Sequence, residues 1–115
     1  MATLAEIRVK AAKKLGLLGV GQTLRSTIDD DLTDAYTEVY AEIESLDLAT
    51  WSSTDNIPDH FVSAVVAWVA GARVDEYSVP DNKYQRVVTE ASGAEAKLRR
   101  LQAEALQGET EMEYF

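Results

Sequence analysis

The chain contains two prolines, Pro58 and Pro80, and the stretch between them is apolar around nearly its whole circumference. Phe61, Val62, Val65, Val66, Trp68 and Val69 do not alternate with polar residues as they would in a half-buried strand. A run of about 20 residues without alternation fits one helix over residues 58–77. Proline fixes φ and lacks an N–H, so Pro58 suits the first position of that helix, and Val79-Pro80-Asp81 breaks the chain after it. A helix that is apolar on all sides is central, touched by neighbours on several faces. The remaining segments must supply those neighbours.

Three of them have helical spacing. The first opens at Thr3, which stands three residues before Glu6 as in a capping box, and continues through Leu4, Ile7, Ala11, Leu15 and Leu18. Gly16, behind Lys13 and Lys14, suits a left-handed C-terminal cap, and residues 16–27, with three glycines, read as a loop. The second begins near residues 27–31 and runs to about Leu46 on the stripe Leu32, Tyr36, Val39, Ile43 and Leu46. Asp29, Asp30 and Asp31 fall where the positive end of its dipole favours carboxylates. The last spans about Asp81 to Leu106, with Tyr84, Val87, Ala91, Ala94, Leu98, Leu101 and Ala105 on a narrow seam. Its length would be roughly 39 Å, with Gly93 the place for a bend.

From Gln107 the period changes to two. Glu109, Glu111 and Glu113 alternate with Thr110, Met112 and Tyr114, ending in Phe115, which is the spacing of a strand. The expectation is an all-α fold: a four-helix bundle-like domain of residues 1–106 with a long C-terminal helix, and residues 107–115 as an extended acidic and aromatic tail.

A chain of 115 residues, 46% of them hydrophobic, fits one domain with its own modest core. Its 20 acidic and 11 basic side chains give a net charge of −9, which argues against nucleic acid as a simple electrostatic ligand. The charge is unevenly spread. Residues 1–28 sum to +4 (five basic, one acidic) and residues 29–59 to −10 (ten acidic, none basic). With no cysteine there is no disulfide, thiolate nucleophile or Cys metal site. The longest apolar stretch is too short to cross a bilayer, and the opening MATLAEIRVKAAKK lacks the order of a signal peptide. These features lead us to expect a soluble intracellular protein with no membrane partner.

Candidate chemistry is sparse. His60 has Ser63 one helical turn away, but no second histidine for a metal, and a structural or surface role is expected for it. Asp29, Asp30, Asp31 and Asp34 lack the alternating acids, central Gly and terminal Glu of an EF-hand, and dipole complementarity accounts for the run. The segment from Gly16 to Thr23 resembles a phosphate loop only superficially, with Gln22 where a P-loop needs Lys and a helix where it needs a strand. Two basic clusters, Arg8 with Lys10, Lys13 and Lys14, and Lys97 with Arg99 and Arg100, stand on helices without interleaved aromatics. The default for each is a solvated face; an acidic neighbour is the alternative. No catalytic constellation emerges, so no enzyme, cofactor or metal is expected. Trp51 in a polar loop, and Tyr114 and Phe115 in the tail, either tuck over the core or, with Met112, serve as protein-interface anchors; for the tail, addition as a strand to a partner's edge competes with disorder.

In their order along the chain, these features resemble the small helical head–tail connector (adaptor, or head-completion) proteins of tailed bacteriophages. The features are Ala11-Ala12-Lys13-Lys14-Leu15-Gly16-Leu17 closing a first helix, an acidic second helix ending on Leu46, and Trp51 ahead of Ile57-Pro58-Asp59. An apolar helix then ends in Arg73-Val74-Asp75-Glu76-Tyr77-Ser78-Val79-Pro80, and a long last helix leads to a tail. The resemblance covers about residues 3–106. It implies a homo-oligomeric ring, commonly a dodecamer, between a portal protein and a tail-proximal connector or stopper protein. DNA would pass through the centre without sequence-specific binding, and the C-terminal tail would dock on the portal. It also implies a place at the head–tail junction of the virion, after assembly in the host bacterial cytoplasm.

The polarised charge suggests how subunits meet. Lys10, Lys13 and Lys14 of one copy would face the acidic second helix of the next, closing a head-to-tail ring. The alternative is a small helical regulator or antitoxin-like binding protein. That class would show basic residues on a recognition helix, and Arg73 is the one basic residue of the apolar helix.

Overall fold

The computed structural model describes residues 2–18, 24–49, 51–54, 56–77 and 79–113, with side chains as far as Glu104. Among them are five helices and no strand: α1 (Leu4–Lys14), α2 (Ser26–Ser45), α3 (Val62–Arg73), α4 (Asp81–Ser92) and α5 (Ala94–Glu113). The fold is all-α. Short 3₁₀ turns at Asp59–Phe61 and Val74–Glu76 extend α3 at both ends, so the helical stretch between the prolines is as expected.

Local chemistry explains the boundaries. The Glu6 N–H donates to Thr3 Oγ1 at 3.2 Å, which caps α1. At its other end Gly16 has φ of 77°, its N–H reaches Lys13 O at 3.1 Å, and Leu17 N–H reaches Ala12 O at 2.9 Å. That is a Schellman cap, in which glycine accepts the left-handed conformation at no steric cost. The end of α2 repeats the motif with Asp47 at φ 60°: its N–H bonds Glu44 O at 3.0 Å and Leu48 N–H bonds Ile43 O at 3.1 Å. Leu48 and Ile43 are both buried, the apolar contact that accompanies such caps.

α3 is the centre of the molecule and packs against α1, α2, α4 and α5. Ala64, Val65, Val66, Val69 and Ala70 are buried on it and share one core with Ile7 of α1, Leu15 just past that helix, Leu32, Val39 and Ile43 of α2, and Leu98 of α5. An antiparallel bridge ties the chain's start to the turn before α3, with Ala2 N–H to Ile57 O at 3.0 Å and Ile57 N–H to Ala2 O at 2.9 Å.

α3 and α4 approach closely at Gly71, where an added Cβ would lie 2.3 Å from the Ala91 Cβ. Alanine there gains helix propensity but forces α3 and α4 apart, because the obstructing atom is fixed to the helix and cannot swing away. Gly71→Ala is therefore expected to lower stability by about 1–2 kcal/mol in urea unfolding. Adding Ala91→Gly should recover most of the loss; a stabilised single variant would contradict this packing.

Two expectations are corrected. The long fourth helix is interrupted at Gly93, giving α4 and α5, although its seam survives: Val87, Ala94 and Leu98 are buried, and Tyr84, Ala91 and Leu101 half-buried. The tail is not extended where it is described, since α5 continues unbroken to Glu113. Its Glu, Gln and Met residues favour helix, and no strand among the described residues offers the hydrogen bonds an extended segment needs. Tyr114 and Phe115 lie outside the described residues, as do residues 19–23 of the glycine loop.

Candidate functional site

Three helices present matched faces to one groove of about 740 Å³. α1 contributes Lys10, Lys13 and Lys14, which share a face because residues three and four apart are neighbours on a helix. α4 contributes Lys83, Arg86, Val87 and Glu90, again a single face. The floor comprises Val62 and Val66, from the first turns of α3, with Val87. Five cationic side chains and the carboxylates of Glu6, Asp59 and Glu90 line the groove, a local excess of positive charge in a chain of net charge −9.

Glu90 holds the two walls together. Lys14 Nζ donates to Glu90 Oε2, and Arg86 Nε to Glu90 Oε1 at 3.2 Å. The Lys14 hydrogen bond is the main reason the Glu90 carboxyl titrates below its ordinary range, with Arg86 adding to it. Lys83 lies over the Gly16 turn, its Nζ 3.4 Å from where a Gly16 Cβ would be. Lys10, Lys13 and Lys83 are exposed; Lys10 acts electrostatically on Asp59 without a hydrogen bond, and Lys13 and Lys83 make no ion pair or hydrogen bond among the described residues. They are free to meet an anionic partner.

The acidic start of α2 has partners within the chain. Arg8 Nε donates to Asp29 Oδ1 at 2.6 Å, joining α1 to α2. Arg73, 9% exposed, donates to Asp31 Oδ1 at 3.1 Å and Glu38 Oε2 at 2.8 Å and lies 3.5 Å from Glu76 Oε2. The Tyr77 hydroxyl completes the cluster by donating to Asp31 Oδ2 at 2.6 Å. These bonds hold the guanidinium's pKa above its ordinary value, the bond to Glu38 most of all, against the opposing effect of burial. Nothing in local sequence spacing signals this cluster, because its members lie 35 and 42 positions apart.

Burial, with the hydrogen bond to Asp31, pushes the Tyr77 phenol up to about 12. A raised phenol contributes stability that is fully present below its unfolded value near 10 and is lost as pH rises through about 12. Wild type should therefore lose stability between pH 10 and 12 more steeply than Tyr77→Phe. Phenolate absorbance should show a component titrating near 12 in wild type that is missing from the variant. Equal curves for the two proteins would contradict the assignment.

Trp51 does not serve as an exposed anchor: it is 7% exposed. Its indole N–H donates to the Tyr36 hydroxyl at 3.1 Å, the Tyr40 hydroxyl donates to its carbonyl at 2.6 Å, and its ring lies 5.5 Å from that of Phe61. Of the two roles the sequence leaves open for it, the one packed over the core is observed. His60 is exposed against Phe61, and Ser63 accepts from Lys97 Nζ at 2.8 Å. In the second basic cluster, Arg99 and Arg100 pair along their own helix with Glu95 at 3.4 Å and Glu104 at 3.9 Å. Among the described residues no acidic, His or Cys group is arranged to hold a metal ion, and no helix is long and apolar enough to cross a membrane. The Met112 side chain and residues Tyr114 and Phe115 fall outside the described part.

No family model, curated protein or solved structure matches the chain.

Proposed function

We propose that the chain is a structural head–tail adaptor of a tailed phage, assembling as a homo-oligomeric ring on the portal protein and lengthening the DNA channel toward a tail-side partner. The observation that carries this reading is α5. Ala94 and Leu98 are buried and Leu101 is half-buried, whereas Ala103 and Glu104 are exposed and the helix continues to Glu113. The molecule accordingly measures 51 × 27 × 27 Å. A compact domain that projects a charged helix from its body is suited to holding a neighbour rather than to enclosing a substrate.

The charge pattern supports the same reading. Asp30, Asp34 and Glu44 remain exposed on α2, and carboxylates facing a channel would repel DNA and let it slide. Arg73 is occupied by three carboxylates, which gives no support to a DNA-reading regulator.

Co-elution tests the proposal. Mixed with the portal protein encoded in the same genome, the untagged chain should leave a sizing column with the portal rather than at its own mass of 12.7 kDa. A chain that elutes alone at tens of micromolar, beside an intact portal, would contradict it.

A further inference from the structure

We propose that the lysine-rimmed groove receives residues 109–115 of a second copy of the chain. The two surfaces match in chemistry. The segment carries the carboxylates of Glu109, Glu111 and Glu113 together with Met112, Tyr114 and Phe115, and has no basic residue. The groove offers exposed Lys10, Lys13 and Lys83 along its rim and the apolar side chains of Val62, Val66 and Val87 on its floor. Carboxylates would pair with the rim lysines while Met112 and the two aromatics cover the floor. Desolvated aromatic and Met side chains supply affinity at such contacts, and the charges supply register and encounter rate.

Geometry favours a second copy over the chain's own segment. α5 is a continuous helix to Glu113, and at 1.5 Å per residue it carries that residue about 18 Å beyond Leu101. A helix of that kind delivers its end to a neighbouring molecule. The contact joins two different surfaces, so it is heterologous, and its repetition closes a ring or extends a filament. This inference rests on the reading of the chain as a ring subunit and names the surfaces through which subunits meet. It places the segment on the neighbouring subunit, where the resemblance to connector proteins implies the portal.

A fluorescein-labelled peptide of residues 105–115, titrated with the full chain and followed by anisotropy, tests the docking. Saturable binding that weakens with salt is expected. Lys10→Glu/Lys13→Glu/Lys83→Glu should weaken it roughly tenfold or more, whereas Arg99→Glu/Arg100→Glu should leave it within about twofold. Circular dichroism melts of both variants establish that they are folded. Absent saturation, binding indifferent to the groove reversal, or a peptide that binds the portal and ignores the groove would each overturn the proposal. Isotope-mixed cross-linking separates the two sources of the segment: links between copies are expected, and links confined within one copy would overturn it. Peptide binding by a chain that ignores the portal would uphold the docking and refute the adaptor reading. Portal binding by a chain that ignores the peptide would do the reverse.

Discussion

Arg73→Met is expected to lower stability by about 2–3 kcal/mol, which corresponds to a fall in Tm of roughly 8–20 °C for a domain of this size. The arginine side chain is only 10% exposed and bridges Asp31 and Glu38 of α2 to Glu76 beyond α3. Removing one partner of a buried pair typically costs about 3–5 kcal/mol, because an uncompensated charge stays behind. Here the carboxylates are 30%, 60% and 57% exposed, so water recovers part of that cost and the lower figure applies. The carboxylates left behind would repel one another, and the Tyr77 hydroxyl would face Asp31 alone. High salt should restore part of the loss by screening that repulsion. Adding Asp31→Asn and Glu38→Gln should restore more. Arg73→Lys should rescue poorly, since a single ammonium cannot reproduce the fork that spans two carboxylates. A single variant as stable as wild type in urea would show that the cluster is incidental.

Leu98→Ala is expected to lower stability by about 3 kcal/mol, within the range for a fully buried leucine. Leu98 is 0% exposed and, with Ala94 and the half-buried Leu101, fixes α5 on α3. So few apolar anchors hold the helix that its loss should be felt locally first. Amide exchange from Glu95 to Leu101 should accelerate more than exchange in α3, as a cooperative unit opening below the global unfolding energy. Uniform loss of protection would mean that α5 is not a separate unit. Release of α5 would also move the segment proposed to dock on the next copy, so self-association should weaken even though Leu98 touches no partner.

The parts of this fold that were legible in sequence are those governed by neighbours within a few residues. Thr3 acts through its hydroxyl on the Glu6 N–H, and Gly16 and Pro58 through backbone geometry at their own positions, so the helical segments begin and end beside these residues. The apolar circumference of residues 61–72 dictated a central helix, because such a surface has nowhere else to go. What stayed hidden depends on partners distant in the chain. Gly71 matters because Ala91 approaches it, and Arg73 because Asp31 and Glu38 of α2 meet it. The polar neighbours of Trp51 in sequence left its role open between core and interface, and Tyr36, Tyr40 and Phe61 enclose it. Residues 107–113 alternate like a strand, but a strand needs a second one beside it, and α5 continued instead. Half of the groove was readable: Lys10, Lys13 and Lys14 stood out as a basic face. Lys83 and Arg86 joined them only when α4 packed beside α1.

Single-particle imaging of the chain mixed with the portal proposed as its partner would settle whether the two assemble. A continuous ring of copies coaxial with the portal is expected, each copy's α5 reaching the groove between α1 and α4 of the next. A bare portal, or isolated copies scattered over its surface without contact between neighbours, would contradict it.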